Sequence, residues 1–203
     1  MPHVPLSEDE HRQRMQVIKA AHERKQARAM RDKGLIIVHT GIGKGKTTAA
    51  LGMALRALGH GMKVGMIQFI KGAIATGEQV FARTHAGQLD LLTSGEGYTW
   101  DTQNRARDME VARRGWEQGR TMMADPSYDI VIFDELNVVL KYAYLPLDEV
   151  LETLRHKREE LHVVVTCRHA PPELVELADL VTEMKVLKHP YAAGIKAQKG
   201  IEF

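Results

Sequence analysis

Cysteine, aromatic residues and long apolar runs are all scarce in this chain of 203 residues. Its one cysteine excludes a disulfide framework and suits a reducing compartment. No apolar run approaches the roughly 20 residues that cross a bilayer, and the N-terminal stretch is too rich in charge for a secretory signal. The formal net charge of +2 provides no global attraction to nucleic acid or membranes. We therefore expect a cytoplasmic protein that binds neither.

The residue pattern divides the chain into an arm and a body. Residues 1–33 predict an N-terminal helical arm, because residues 7–32 lack proline and glycine and carry only a thin apolar stripe. In residues 34–203, short apolar runs alternate with helical patterns, which indicates an α/β fold with a mostly parallel sheet flanked by helices. The predicted strands are 35–39, 64–69, 89–92, 130–134, 162–166 and 180–186. The predicted helices are 47–58, 77–86, 103–124, 147–157 and 172–178.

A stretch rich in glycine and lysine separates the first predicted strand of the body from the helix that follows. It consists of Thr40-Gly41-Ile42-Gly43-Lys44-Gly45-Lys46-Thr47-Thr48. Glycines let the backbone curl so that its N–H groups can surround phosphate oxygens, and a helix N-terminus adds free donors and positive potential. Lys46 would bring a charge to the phosphates, and the Thr47 hydroxyl would bind magnesium. Residues 41–48 therefore predict a nucleoside triphosphate site in a P-loop NTPase (RecA-like) fold.

Thr40 makes this loop a variant of the usual pattern. That pattern places a glycine at position 40, five residues before Gly45, and here Gly41 is the neighbour that can supply the same flexibility. The loop does not fit a dinucleotide-binding turn, because the third small residue of that motif falls on Lys46 or Thr48.

A second chemical signal lies at the end of the predicted strand 130–134, where Asp134 is followed by Glu135. A carboxylate at the end of a buried strand is the usual partner of a phosphate loop, where it helps to hold magnesium or manganese. Successive strand side chains point to opposite faces of a sheet, so the pattern leaves open which of the two acids approaches the metal.

Tyr98 and Trp100 stand in a polar, glycine-containing segment after the predicted strand 89–92. Only 5% of the chain is aromatic, so this pair is conspicuous. Two interpretations stay open on the residues alone. The rings border the ligand cleft, or they pack over the helix that begins near Gln103.

Several segments, taken in order, resemble the P-loop type of ATP:corrinoid adenosyltransferase. The resemblance runs from about residue 34 to 203 and includes the phosphate loop and residues 64–72, 97–104, 134–136, 144–147, 177–179 and 194–201. It implies that ATP is a co-substrate and a reduced corrinoid the acceptor. In this family cobalt(I) attacks the ribose 5′ carbon and the whole triphosphate leaves, in coenzyme B12 biosynthesis or salvage.

The same resemblance implies roles for individual residues. Tyr98 and Trp100 fall on the aromatic pair that removes the lower ligand of cobalt. For the leaving triphosphate, Lys44 and Lys46 are suited to stabilise the developing charge. The magnesium or manganese ion would be held by Thr47 with Asp134 or Glu135. The family also binds its nucleotide in the reverse direction along the loop. It resembles a homodimer whose N-terminal helix covers the partner's active site, and a flavoprotein is the expected reductant.

Two other functions share the phosphate loop. A P-loop kinase or ATPase would use Asp134 and Glu135 on an acceptor or a water, and a RecA-like ATPase would depend on nucleic acid. The aromatic segment and the near-neutral charge weigh against both. Cys167 and His39 stand at strand ends and are expected to be structural, and Trp116 is expected in the core.

Overall fold

The computed structural model describes residues 7–28, 30–70, 75–94 and 104–203, so Tyr98 and Trp100 lie outside the described residues. The chain separates into two compact units, Met1–Lys33 and Gly34–Phe203. No helix in the described ranges combines the length and the apolar character that crossing a membrane requires.

The first unit contains one helix, α1 (Glu8–Arg28), and none of its described residues is buried. Ser7 fixes its start, because the Ser7 hydroxyl accepts the N–H of Glu10 and the Glu10 carboxylate accepts the N–H of Ser7. Acidic residues in the first turn and basic ones in the last suit the helix dipole. The helix ends at Arg28, earlier than the predicted residue 32.

The second unit is a six-stranded parallel sheet with helices between the strands, as the sequence predicts. The strand order is β3-β2-β4-β5-β1-β6. The strands are β1 (Ile36–Thr40), β2 (Val64–Gln68), β3 (Leu89–Thr93), β4 (Ile130–Asp134), β5 (His162–Thr166) and β6 (Leu180–Glu183). The helices are α2 (Lys46–Gly59), α3 (Gly77–Thr84), α4 (Arg105–Ala124), α5 (Leu136–Lys141), α6 (Leu147–Arg155) and α7 (Pro172–Leu177), followed by a 3-10 helix (Pro190–Ala193).

Two departures from the predicted elements have physical reasons. Strand β6 was expected to reach residue 186 but ends at Glu183. Among the described strands it pairs only with β1, whose last residue in that ladder, Thr40, lies opposite Glu183. Beyond Thr40 the partner strand turns into the phosphate loop. Helix α5 was not predicted, because its short run of leucine and valine has no helical period long enough to recognise.

The core lies on both faces of the sheet. On one face, Trp116 of α4 is fully buried, as predicted, and its ring centroid lies 5.0 Å from that of Phe133. On the other face, the small residues Ala50, Ala54 and Ala57 of α2 pack against the strands. Alanines let this helix approach the sheet closely, and the loop before it follows the carboxyl end of β1.

Candidate active site

Polar residues form a row across the carboxyl ends of the strands. Gln68 lies in register with Thr93 on one side and Asp134 on the other, and His39 lies in register with Thr166. By strand alternation these positions share the face that α2 covers. Four of them are buried, at Gln68, Asp134, Thr166 and His39. In an open parallel sheet this edge is where ligands bind.

The phosphate loop is shaped by glycines that touch neighbouring backbone. Gly41 has φ +94°, so it supplies the conformation that Thr40 cannot. The Gly41 N–H donates to the Arg168 carbonyl at 3.1 Å, and the Gly43 N–H donates to the Met184 carbonyl at 2.7 Å. A Cβ on Gly41 would lie 2.3 Å from the Met184 carbonyl oxygen, and one on Gly43 would lie 2.6 Å from it. Both positions therefore require glycine.

Helix α2 begins at Lys46 directly after the loop. Its N-cap, Gly45, has φ +101° and no side chain caps the helix. The N–H groups of a helix's first turn have no partner inside the helix, so they are available to an anion at the loop. The Lys46 ammonium lies over the loop and donates to the carbonyls of Gly41 at 2.7 Å and Gly43 at 2.6 Å. Burial, with Arg168 nearby, lowers the pKa of Lys46, while the surrounding acidic groups oppose this shift.

Asp134 is the acid that contacts the loop helix. Its Oδ1 accepts the Thr47 hydroxyl at 2.8 Å and the Thr166 hydroxyl at 2.6 Å. Burial raises the pKa of Asp134, and the nearby Glu78 carboxylate adds to the rise, whereas the two threonine hydroxyls oppose it. The arrangement places a hydroxyl and a carboxylate oxygen side by side at the end of β4.

Glu135, the next residue, has an unusual backbone conformation. Its φ of 59° lies in the left-handed region, a conformation that costs a residue with a side chain about 1 kcal/mol or more. Its N–H donates to the Thr166 hydroxyl at 2.9 Å. Burial raises the pKa of Glu135, as does Asp134, while Arg168 and Lys46 oppose the rise. Glu135 is therefore within electrostatic range of the loop lysine, and the Thr47 contact belongs to Asp134.

Sequence reasoning missed the polar residues on the far side of Asp134. The Gln68 amide lies 3.5 Å from Asp134 Oδ2 and 3.3 Å from the Glu78 carboxylate. Gln79 donates to Gln68 at 3.4 Å and to Thr93 at 3.2 Å. The position of Gln68 at the end of a predicted strand was the available signal, whereas Glu78 and Gln79 reach the row only through the packing of α3.

The donors at this site suit a magnesium ion. Magnesium prefers oxygen ligands and takes few from the protein, leaving the rest to water and phosphate. Thr47 and Asp134 supply such a pair. Within the described ranges no group of three or more His, Cys, Asp and Glu residues could hold a metal ion, so a site built from protein ligands alone is not found there.

Two other residues near the loop, Cys167 and His39, fit a structural rather than a chemical role. Burial raises the pKa of Cys167 to about 11, so its thiol is not an activated nucleophile. Both ring nitrogens of His39 are buried without a hydrogen-bond partner among the described residues, and burial lowers the pKa of His39. The ring is therefore held neutral at neutral pH.

The fold has counterparts among solved structures. The flagellar accessory protein FlaH of Methanocaldococcus jannaschii superposes with a TM-score of 0.50 at 14% identity, over 77% of this chain and 73% of that one. The RadB recombinase superposes with a TM-score of 0.50 at 17% identity, over 77% of each chain. Together with the glycine loop before α2 and the carboxylate at the end of β4, this likeness defines a RecA-like P-loop fold.

The family is shown by sequence comparison. Residues 32–203 match the family model described as ATP:corrinoid adenosyltransferase BtuR/CobO/CobP, and the chain belongs to this family. The corrinoid adenosyltransferase of Pseudomonas aeruginosa is 48% identical over the full length of both chains. That of Sinorhizobium sp. is 46% identical over 98% of this chain and 95% of its own. That of Escherichia coli K12 is 43% identical over 98% of this chain and all of its own.

Proposed function

We propose how the residues of this chain perform the reaction of its family, in which the 5′-deoxyadenosyl group of ATP passes to the cobalt(I) of a corrinoid. The bond that forms joins cobalt to the ribose 5′ carbon, and the bond that breaks joins that carbon to the triphosphate oxygen. The leaving group is a strong polyanion. The protein must therefore stabilise negative charge that develops at the phosphate loop.

The loop supplies the donors for that charge. The uncapped first turn of α2 presents N–H groups to an anion, as does the curled loop backbone before it, apart from the N–H groups of Gly41 and Gly43, which have backbone partners. Lys46 bridges two loop carbonyls, and its ammonium can exchange them for the phosphate oxygens of a bound nucleotide. Lys44 adds a second positive charge, and Ile42 contributes through its backbone.

The pairing of the Thr47 hydroxyl with Asp134 is the observation that supports a magnesium (or manganese) requirement most strongly. These two oxygens would hold the ion together with phosphate oxygens and water. When bound, the ion neutralises charge on the departing triphosphate. Asp134 must be ionised to bind it, and Glu135 is placed to balance Lys46 rather than to replace Asp134.

The corrinoid side of the reaction belongs to Tyr98 and Trp100. As in the family that the sequence resembles, these rings form an apolar wall that keeps a lower ligand from cobalt and so eases its reduction. Helix α1 is the lid of a homodimer, which suits its lack of buried residues. A reduced flavoprotein supplies the electrons, and the protein works in the cytoplasm without nucleic acid.

Calorimetric titration with a nonhydrolysable ATP analogue tests the metal site. In the wild type, magnesium should tighten binding of the analogue. In Thr47→Val, which keeps the shape but removes the hydroxyl, binding in EDTA should persist through Lys46 while the gain from magnesium is lost, about tenfold or more. Thr121→Val is the matched control, because the exposed Thr121 hydroxyl donates to the Glu117 carbonyl of its own helix α4. An undiminished magnesium effect in Thr47→Val would contradict the assignment.

A further inference from the structure

The C-terminal segment of this chain begins and ends at the phosphate loop. Where β6 stops, the Met184 carbonyl accepts the Gly43 N–H, and the Met184 N–H donates to the Thr40 carbonyl. The chain then runs through an exposed stretch that includes the 3-10 helix. It returns at Glu202, whose carboxylate forms an ion pair with the ammonium of Lys44. Residues 184–203 are hereafter called the C-terminal strap.

Glu202 is held in place by the strap's own backbone. The N–H groups of Ile201 and Glu202 both donate to the Gln198 carbonyl, at 3.1 and 2.8 Å. The Gly200 N–H donates to a backbone oxygen of Phe203 at 2.7 Å, and Gly200 has the positive φ that this turn requires. The Glu202 side chain is 17% exposed, whereas that of Lys44 is 56% exposed. The carboxylate is therefore the better fixed partner.

Lys44 stands between two glycines of the loop, so its ammonium is a charge that a triphosphate would also use. A carboxylate and a phosphate compete for the same ammonium, because each is an oxyanion that accepts charge-assisted hydrogen bonds. We propose that Glu202 is an intramolecular anion that exchanges with the triphosphate at Lys44. It gives up the lysine when ATP binds and takes it back when triphosphate leaves. This proposal rests on the loop being the triphosphate site.

The exchange would assist release of the triphosphate product. The arrangement that stabilises the departing triphosphate also binds the product, so a site of this kind risks slow product release. A tethered carboxylate beside Lys44 lowers the cost of freeing the lysine, because the ammonium passes from one anion to another rather than losing its partner. The strap therefore weakens triphosphate binding in the full-length enzyme and speeds its departure.

Inorganic triphosphate is the direct probe, titrated into the full-length protein with magnesium present. Glu202→Gln should bind it about fivefold more tightly than the wild type, the effect expected from one ion pair, and should release it more slowly. In the transfer reaction, added triphosphate should inhibit Glu202→Gln at correspondingly lower concentration. In a Lys44→Ala background, Glu202→Gln should have no further effect.

Glu183→Gln is the matched control. It removes the same charge close to the loop, but Glu183 pairs with Lys185 rather than with a loop residue. Equal tightening in both variants would assign the effect to the general field and overturn the proposal. Unchanged or weaker triphosphate binding in Glu202→Gln would also overturn it, since the carboxylate would then merely position Lys44. A wild type that binds no triphosphate would instead refute the loop assignment on which the proposal rests.

Discussion

The hydroxyl of Thr47 donates to the Asp134 carboxylate at 2.8 Å, although the two residues are 87 positions apart in the chain. Thr47 lies in the first turn of the helix after the loop, and Asp134 ends the buried strand β4. The same carboxylate oxygen accepts the Thr166 hydroxyl. Loop, helix and sheet are therefore joined at one oxygen atom, and a change at Asp134 should affect both stability and nucleotide binding.

Asp134→Asn should stabilise the protein while impairing its metal-dependent binding. Burial raises the pKa of Asp134, so the folded state holds its proton more tightly than the unfolded state. Above the pKa of the unfolded carboxyl, ionisation therefore favours the unfolded chain and lowers the free energy of unfolding. Removing the charge should therefore raise the melting temperature at neutral pH.

The pH dependence separates this cause from a packing effect. The stabilisation in Asp134→Asn should shrink as the pH is lowered towards the ordinary aspartate pKa of about 4. The wild-type carboxyl is then protonated in both the folded and the unfolded state, so the wild type no longer buries a charge. Thermal melts at several pH values measure it. A gain that stays constant with pH, or a loss of stability at neutral pH, would show that Asp134 is not a costly buried charge.

Gly119→Ala should destabilise the protein. A Cβ at Gly119 would lie 2.2 Å from the ring of Phe133, which is fully buried and cannot move aside. Overpacking of this kind costs about 1 to 3 kcal/mol. Gly52→Ala is the control, since nothing lies within 4 Å of a Cβ on that exposed face of α2. It should stabilise by about 0.5 to 1 kcal/mol. Equal effects of the two substitutions in denaturant unfolding would contradict the packing at Gly119.

The strands, the loop and its helix were predictable because their signals are local. Glycines, a strand of apolar residues and a helical period all lie within a few residues of one another. The contact of Thr47 with Asp134 rather than Glu135 was not predictable, because it depends on the backbone turn at Glu135 and on a hydroxyl from α2. The pairing of Glu202 with Lys44 joins opposite ends of the body, and no local pattern signals it.

Trp100→Ala should separate the two substrates. If this ring faces the corrinoid, ATP affinity should stay near the wild-type value while four-coordinate cobalt(II), seen by absorption or paramagnetic resonance, is sharply reduced. Transfer to cobalamin should fall with it, and acceptors without the nucleotide-loop ligand should suffer less. Tyr98→Phe, which keeps the ring, should retain activity if the ring alone matters. An equal loss of ATP affinity in Trp100→Ala would place the ring at the nucleotide instead.

Deleting residues 1–33 should leave the body folded, because no described residue of α1 is buried. The melting temperature of the shortened protein should therefore match that of the full chain within a few degrees. If the arm is the lid of a homodimer, the KM for the corrinoid or for ATP should rise. Unchanged steady-state kinetics in the shortened protein would show that the arm takes no part in the reaction.

We propose above all that this loop stabilises a departing triphosphate during adenosyl transfer. Product analysis of ATP incubated anaerobically with a reduced corrinoid tests it most directly. The wild type should form adenosylated corrinoid and inorganic triphosphate in equal amounts. Lys46→Ala should fold normally yet lose about 10²- to 10³-fold in rate, whereas Lys185→Ala, which removes an exposed charge, should not. Release of ADP or phosphate in place of triphosphate, or near-normal transfer by folded Lys46→Ala, would contradict the account.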